Sequence, residues 1–168
     1  VRRSLDGSLP DAVQCVYSSP IKALANDIEK NLLGPLGEIK ERYLPSRAKE
    51  IKVGLRTGDT PQSEREKMLR KPPHILITTP ESMGLGLASK RFRPILDQMK
   101  WFIIDEMHSL VPTNSGTHLS LSMALMDSVV SSDVQRIGIS ATMEPLDAVA
   151  EFLVASDSRD SDIDPQTV

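Results

Sequence analysis

Trp101-Phe102-Ile103-Ile104-Asp105-Glu106-Met107-His108 is the stretch whose reading decides the fold of this 168-residue chain. A continuous apolar run reads as a strand covered on both faces, as in the parallel sheets of α/β proteins. Ligands of such sheets bind in the crevice beyond the strands' carboxyl ends. Asp105 and Glu106 are therefore expected at that crevice, with His108 close behind. Adjacent carboxylates suit nucleotide hydrolysis. One holds Mg²⁺ through water, because this ion gives up its hydration shell reluctantly, and the other takes a proton from an attacking water. The same residues also fit a strand that ends in an acidic turn with His108 packed into the core, and one short motif does not separate the two.

Moving outward, Arg136-Ile137-Gly138-Ile139-Ser140-Ala141-Thr142 is a second short β-rich run, and it ends in two hydroxyls around an alanine. Hydroxyls at a strand's carboxyl end can bond the acidic residues of a neighbouring strand, or they can cap a turn. Upstream, Ala12 to Tyr17 reads as a strand, with Ser19 as N-cap and Pro20 at the first helical position. Ile21, Leu24, Ile28 and Leu32 recur at helical spacing, and Gly34-Pro35 is expected to stop that helix before a second one through Ile39 and Tyr43. Ile51 to Leu55 alternates as a strand. Thr60-Pro61 opens a charged helix that ends at Arg70-Lys71 before Pro72-Pro73. His74 to Thr78 is another strand, and Thr79-Pro80 caps the next helix. Pro94 to Met99 fits one or two helical turns. Leu119, Met123, Met126 and Val130 form an apolar helical stripe, with the methionines as core filling. Strands alternating with helices predict a parallel, doubly covered α/β sheet.

In this order the motifs resemble those of superfamily 2 helicases of the DEAD/DEAH type. Asp105-Glu106-Met107-His108 is similar to motif II and Ser140-Ala141-Thr142 to motif III. Ser19-Pro20-Ile21-Lys22-Ala23-Leu24-Ala25-Asn26-Asp27 resembles motif Ia, and Thr57-Gly58-Asp59 with Thr79-Pro80-Glu81-Ser82 resembles the motif Ib region. The wording is closest to the large helicase-related (Lhr-like) branch, and the likeness runs from about Ala12 to Leu153. Several ordered motifs are far more specific than one.

The resemblance implies a RecA-like sheet, with residues 1–154 as part of the first motor domain and 155–168 as a polar tail. It implies ATP and Mg²⁺ as cofactors, Asp105 as the metal-side carboxylate, Glu106 as the base, and His108 with Ser140, Ala141 and Thr142 in coupling. It assigns Pro20, Lys22, Thr57, Gly58, Asp59, Thr79, Pro80 and Glu81 to the backbone of a single-stranded or partly duplex nucleic acid, DNA favoured over RNA. It further implies a partner motor domain in the same full-length chain, supplying arginines to the ATP site. Two departures stand out. No glycine is followed by lysine, so the phosphate-cradling Gly-x-x-x-x-Gly-Lys-Ser/Thr loop is missing from this sequence, and the chain is expected to begin after that loop. That leaves the sheet incomplete, with the Ser-Ala-Thr strand as an open edge. Val111 to Gly116 also lacks the basic pair expected of relatives. The alternatives are a non-catalytic nucleic-acid-binding or scaffolding piece, or a P-loop ATPase without helicase activity.

Composition agrees with a soluble domain of ordinary make-up, 39% hydrophobic and 26% charged. The net charge of −3 does not advertise a nucleic-acid binder. Much of the deficit lies in Glu151 to Val168, where five acids face Arg159 alone, so the rest is close to neutral. Contact with a nucleic acid must then come from local placement of lysines, backbone N–H groups and helix ends. The single Cys15 cannot form an internal disulfide, which suits a reducing, cytoplasmic setting. No run is long and apolar enough to span a membrane.

Overall fold

The computed structural model describes residues 2–5, 7–20, 22–43, 49–131, 133–141 and 146–154. In chain order the elements are α1 (Arg2–Leu5), β1 (Cys15–Ser18), α2 (Lys22–Tyr43), β2 (Val53–Arg56), α3 (Gln62–Arg70), β3 (Ile75–Thr78) and α4 (Pro80–Ala88). They continue with α5 (Arg93–Leu96), β4 (Trp101–Ile104), α6 (Met107–Leu110), α7 (Asn114–Val129), β5 (Gln135–Gly138) and α8 (Leu146–Val154). The strands form a parallel sheet in the order β2-β3-β1-β4-β5.

This order explains which helices cover which face. Right-handed crossovers place the connection from β1 outward to β2 on one face and the connections that run back toward β5 on the other. Accordingly α2 lies against β2 and β3. On the opposite face Val16, Leu76, Phe102 and Ile104 pack in one core with Met83, Leu87, Leu96, Met107, Leu119, Met123 and Met126 from α4 to α7. The α2-side face is more open over β1, β4 and β5, where Tyr17, Ile103 and Ile137 are half-buried and Trp101 is exposed.

Several boundaries differ from the sequence reading, each for a physical reason. Gly34-Pro35 does not stop the helix: α2 continues through Pro35 to Tyr43. Proline leaves the Asn31 carbonyl without its helical donor. Asn31 and its surroundings are exposed, so water can take that role. The first strand begins at Cys15 rather than Ala12, because the Val13 N–H is already given to the Ile95 carbonyl at 2.9 Å. Ser19 does not cap α2, since its buried Oγ has no hydrogen-bond partner. Thr60-Pro61 lies just before α3, which begins at Gln62 with Pro61 as its N-cap. Thr60 Oγ1 accepts the Thr57 N–H at 2.8 Å. The turn over Pro94 to Met99 is the shorter α5, and β5 ends at Gly138, before Ser140. The expectations for Thr142 and for the tail 155–168 lie outside the described residues.

As expected, the methionines of α7 are core, and Thr79 caps α4 with Pro80 in its first turn. At the outer edges β2 pairs only with β3 and β5 only with β4 among the described residues.

Candidate nucleotide and nucleic-acid site

The register aligns Arg56, Thr78, Ser18, Ile104 and Gly138 across the sheet. The residues immediately after them therefore share one rim, at the carboxyl ends of the strands, where ligands of α/β sheets bind. Pro20, the Thr57-Gly58-Asp59 loop, Thr79-Pro80-Glu81, Asp105-Glu106 and Ser140-Ala141 all lie there. Lys22 opens the described part of α2, its side chain outside the described residues. Thr142 lies outside them altogether.

Asp105 is fixed from both ends of its carboxylate. Its Oδ1 accepts the Glu106 N–H at 2.9 Å and its Oδ2 accepts the Tyr17 hydroxyl at 2.5 Å. The backbone holds it as well, through Asp105 N–H to the Ser18 carbonyl at 2.9 Å. Burial, followed by the hydrogen bond and charge of Asp105 and the charge of Glu106, pushes the Tyr17 phenol well above its usual range. It therefore remains a donor. On the same strand, burial pushes the Cys15 thiol up to about 11, so that it remains an unreactive thiol.

Glu106 has a left-handed backbone, φ 55° and ψ 41°, where a side chain is disfavoured. The turn is held on both sides: Met107 N–H donates to the Ile139 carbonyl at 3.1 Å, and the Ser109 hydroxyl donates to the Glu106 carbonyl at 2.9 Å. Backbone strain of this kind gathers at functional sites. From this turn the Glu106 Oε2 lies 3.1 Å from His108 Nε2, and His108 Nδ1 lies 3.2 Å from Ser140 Oγ. A carboxylate only accepts, so in the neutral ring Nε2 carries the proton toward Glu106 and Nδ1 accepts from the Ser140 hydroxyl. His108 thus bridges the acidic turn to the segment after β5, and it is half-buried rather than packed into the core.

The remaining rim residues are organised differently. Thr79 is buried, and its hydroxyl is occupied by the cap, at 3.4 Å from the Ser82 N–H and 3.2 Å from the Ser82 hydroxyl. Glu81 accepts the Ser115 hydroxyl at 2.6 Å and so ties α4 to the start of α7. Burial raises its pKa, but hydrogen bonds from Ser115, its own N–H and Thr79, with the charge of His118, leave it below the usual carboxylate range. Arg65 holds the Thr57-Gly58-Asp59 loop from beneath, donating to the carbonyls of Thr60 (2.8 Å), Gly58 (2.9 Å) and Thr57 (3.2 Å).

Arg56 is buried with its guanidinium 4.2 Å from the centre of the Phe92 ring. Its pKa is lowered by burial and by Arg65. Phe92 can lie there because Gly86 has no side chain: a Cβ would meet the ring at 2.7 Å. Tyr17, Arg56 and Arg65 were not singled out in the sequence, whose motif pattern points at the rim residues and not at those that brace them.

A family model for DEAD/DEAH box helicases matches residues 2–150. This chain belongs to the DEAD/DEAH box helicase family. It is 50% identical over 150 residues to the ATP-dependent helicase Lhr-Core of Methanothermobacter thermautotrophicus, covering 89% of this chain and 17% of that protein. It is 46% identical over 140 residues to the Lhr helicase/uracil glycosylase of Escherichia coli, covering 82% of this chain and 9% of that protein. In three dimensions it is similar to the helicase Lhr of Mycobacterium smegmatis bound to ssDNA and AMP-PNP. The TM-score is 0.79 at 44% identity, over 90% of this chain and 19% of that one. This DEAD/DEAH box chain thus spans less than a fifth of the length of these relatives. Its five-stranded parallel sheet is that of a RecA-like helicase domain.

Proposed function

We propose that this chain is part of the first motor domain of an ATP-dependent, Lhr-like helicase that couples ATP hydrolysis to movement along, or unwinding of, DNA. The observation that carries the proposal is the run Glu106, His108, Ser140, with its two contacts of 3.1 and 3.2 Å at the rim where the candidate strand-binding turns also lie. Glu106 takes the proton of the attacking water. His108 fixes one oxygen of Glu106 and leaves the other to face that water. Ser140, with Thr142 nearby in sequence, reports the state of the site to the rest of the rim.

The described residues contain no group of three or more His, Cys, Asp or Glu able to cage a metal. A single carboxylate such as Asp105 nevertheless fits Mg²⁺, which keeps its waters and is commonly held by one or two carboxylates and the substrate phosphates. The ion would supply charge neutralisation at those phosphates. Because no glycine in the sequence is followed by lysine, the phosphate loop comes from another part of the intact protein in this reading; the arginines that the resemblance assigns to a partner motor domain come from elsewhere too. The 168-residue chain by itself is then a non-catalytic piece.

Pro20, Lys22, the Thr57-Gly58-Asp59 loop and Thr79 to Glu81 grip the sugar-phosphate backbone, chiefly through backbone N–H groups and helix starts. DNA is favoured because the relative from Mycobacterium smegmatis is bound to ssDNA. A cytoplasmic setting is supported by the lone thiol, and no described helix is long and apolar enough to cross a membrane.

ATPase measurements on the full-length protein with single-stranded DNA test the proposal. Glu106→Gln should lower kcat by about 100-fold or more while nucleotide binding is kept. Unchanged turnover would contradict the assignment.

A further inference from the structure

We propose that Tyr17 is a positioning residue for the Asp105 carboxylate, setting the direction from which that group meets a hydrated divalent cation. The inference deepens the site reading above and rests on its assignment of Asp105 to the cation. Tyr17 pairs with Ile103 in the register of β1 and β4, and Asp105 follows two residues after Ile103. Residues two apart on a strand share a face, and a diagonal neighbour on the next strand is within reach of an aromatic side chain. A phenol spans that diagonal. Its hydroxyl reaches Asp105 Oδ2 at 2.5 Å, while the Glu106 N–H reaches Oδ1 at 2.9 Å.

Two donors arriving from separate parts of the chain, one on β1 and one on the turn itself, fix both the tilt and the rotation of the carboxylate plane. Each carboxylate oxygen has a second lone pair, so a metal-bound water can still be accepted. An Asp105 held only by its neighbour's N–H would be free to turn about its own side-chain bonds. Tyr17 lies on the face of the sheet that is half open over β1 and β4, where packing alone would not hold the group. Partners that orient metal-side ligands typically matter by about 10- to 100-fold in metal affinity.

The test uses the full-length protein with ADP and Mn²⁺ as the probe cation, read by electron paramagnetic resonance, which reports occupancy without turnover. Tyr17→Phe keeps the ring and removes the hydroxyl. It should raise the half-saturating Mn²⁺ concentration about tenfold. Melting temperature and ADP affinity without metal should stay near the parent's. In steady state the Mg²⁺ requirement of hydrolysis should rise, with kcat recovered at high Mg²⁺. Asp105→Asn separates the two layers of the argument. If it weakens Mn²⁺ binding and Tyr17→Phe leaves binding within twofold, the positioning role is overturned and the site reading stands. If Asp105→Asn leaves Mn²⁺ binding unchanged, the cation assignment fails and the role of Tyr17 falls with it. A Tyr17→Phe defect confined to melting temperature also overturns the proposal.

Discussion

His108 Nδ1 stands 3.2 Å from Ser140 Oγ, and this contact links the turn after β4 to the segment after β5. The two residues are 32 positions apart, and the parallel pairing of β4 with β5 brings their strand ends side by side. The backbone joins the same two segments through the Met107 N–H and the Ile139 carbonyl, and the His108 to Ser140 contact adds a side-chain link.

The left-handed Glu106 turn reverses the usual ranking of alanine and glycine. Alanine removes the carboxylate but keeps the unfavourable φ of 55°, whereas glycine removes both. Glu106→Gly should therefore be more stable than Glu106→Ala by about 1 kcal/mol in urea melts, with neither variant supporting hydrolysis in the full-length protein. An alanine variant at least as stable as the glycine one would show that the turn is unstrained.

His74 predicts a loss of stability on acidification. The residue is buried, its Nδ1 accepts the Lys52 N–H at 2.9 Å, and its Nε2 has no partner. Burial, with the charges of Lys52 and Lys49, lowers its pKa below the ordinary 6.5. The unfolded chain then binds a proton that the folded chain resists. The contribution is complete above pH 6.5 and is lost as pH falls through that value toward the depressed folded one. Urea midpoints should drop between about pH 7.5 and pH 5.5, and His74→Gln should flatten that part of the curve. An unchanged slope in the variant would assign the loss to other groups.

Arg136 and Asp127 predict a stability effect away from the site. Arg136 reaches the Asp127 carboxylate on α7 and the Leu153 carbonyl on α8, at 2.7 Å for the latter. With both side chains largely buried, Arg136→Met should cost on the order of 3 kcal/mol, because it breaks a largely buried ion pair from one side. The double variant Arg136→Met/Asp127→Leu should recover much of that loss. Additive losses in chemical denaturation would show that the pair is not coupled.

Much of the fold was legible in the sequence because buried parallel strands and capped helices leave local signatures. Trp101 to Ile104 is a strand with the acidic turn at its carboxyl end, and Thr79 caps α4, as their residues indicate, but Trp101 is exposed on the open face and not covered on both sides. What was not legible depends on the surroundings. Whether Pro35 ends a helix is decided by the exposure of Asn31, which a sequence window does not show. The Tyr17 to Asp105 diagonal exists only once the register of β1 and β4 is known. The stacking of Arg56 on Phe92 joins residues 36 positions apart, over a glycine that looks like any other helical glycine in the text. Motifs mark the residues that face the rim, while their supports come from pairings that no short pattern encodes.

The open edge of β5 predicts the behaviour of the isolated chain. Among the described residues β5 pairs only with β4, Ile137 is half-buried, and Ile139 is 45% exposed. Unpaired apolar edges self-associate. Light scattering should show concentration-dependent association that Ile137→Lys reduces. A monodisperse monomer over the same range would contradict it. The same preparation should hydrolyse no ATP with or without single-stranded DNA.

The central claim, that Glu106, His108 and Ser140 couple hydrolysis to strand movement, is tested most directly by the number of base pairs unwound per ATP hydrolysed in the full-length protein. His108→Ala, and Ser140→Ala with Thr142→Ala, should each lower that ratio severalfold at matched folded fraction, with single-strand binding retained and hydrolysis largely spared in the Ser140/Thr142 variant. A ratio equal to the parent's in both variants, or a loss that only follows reduced stability, would contradict the coupling role.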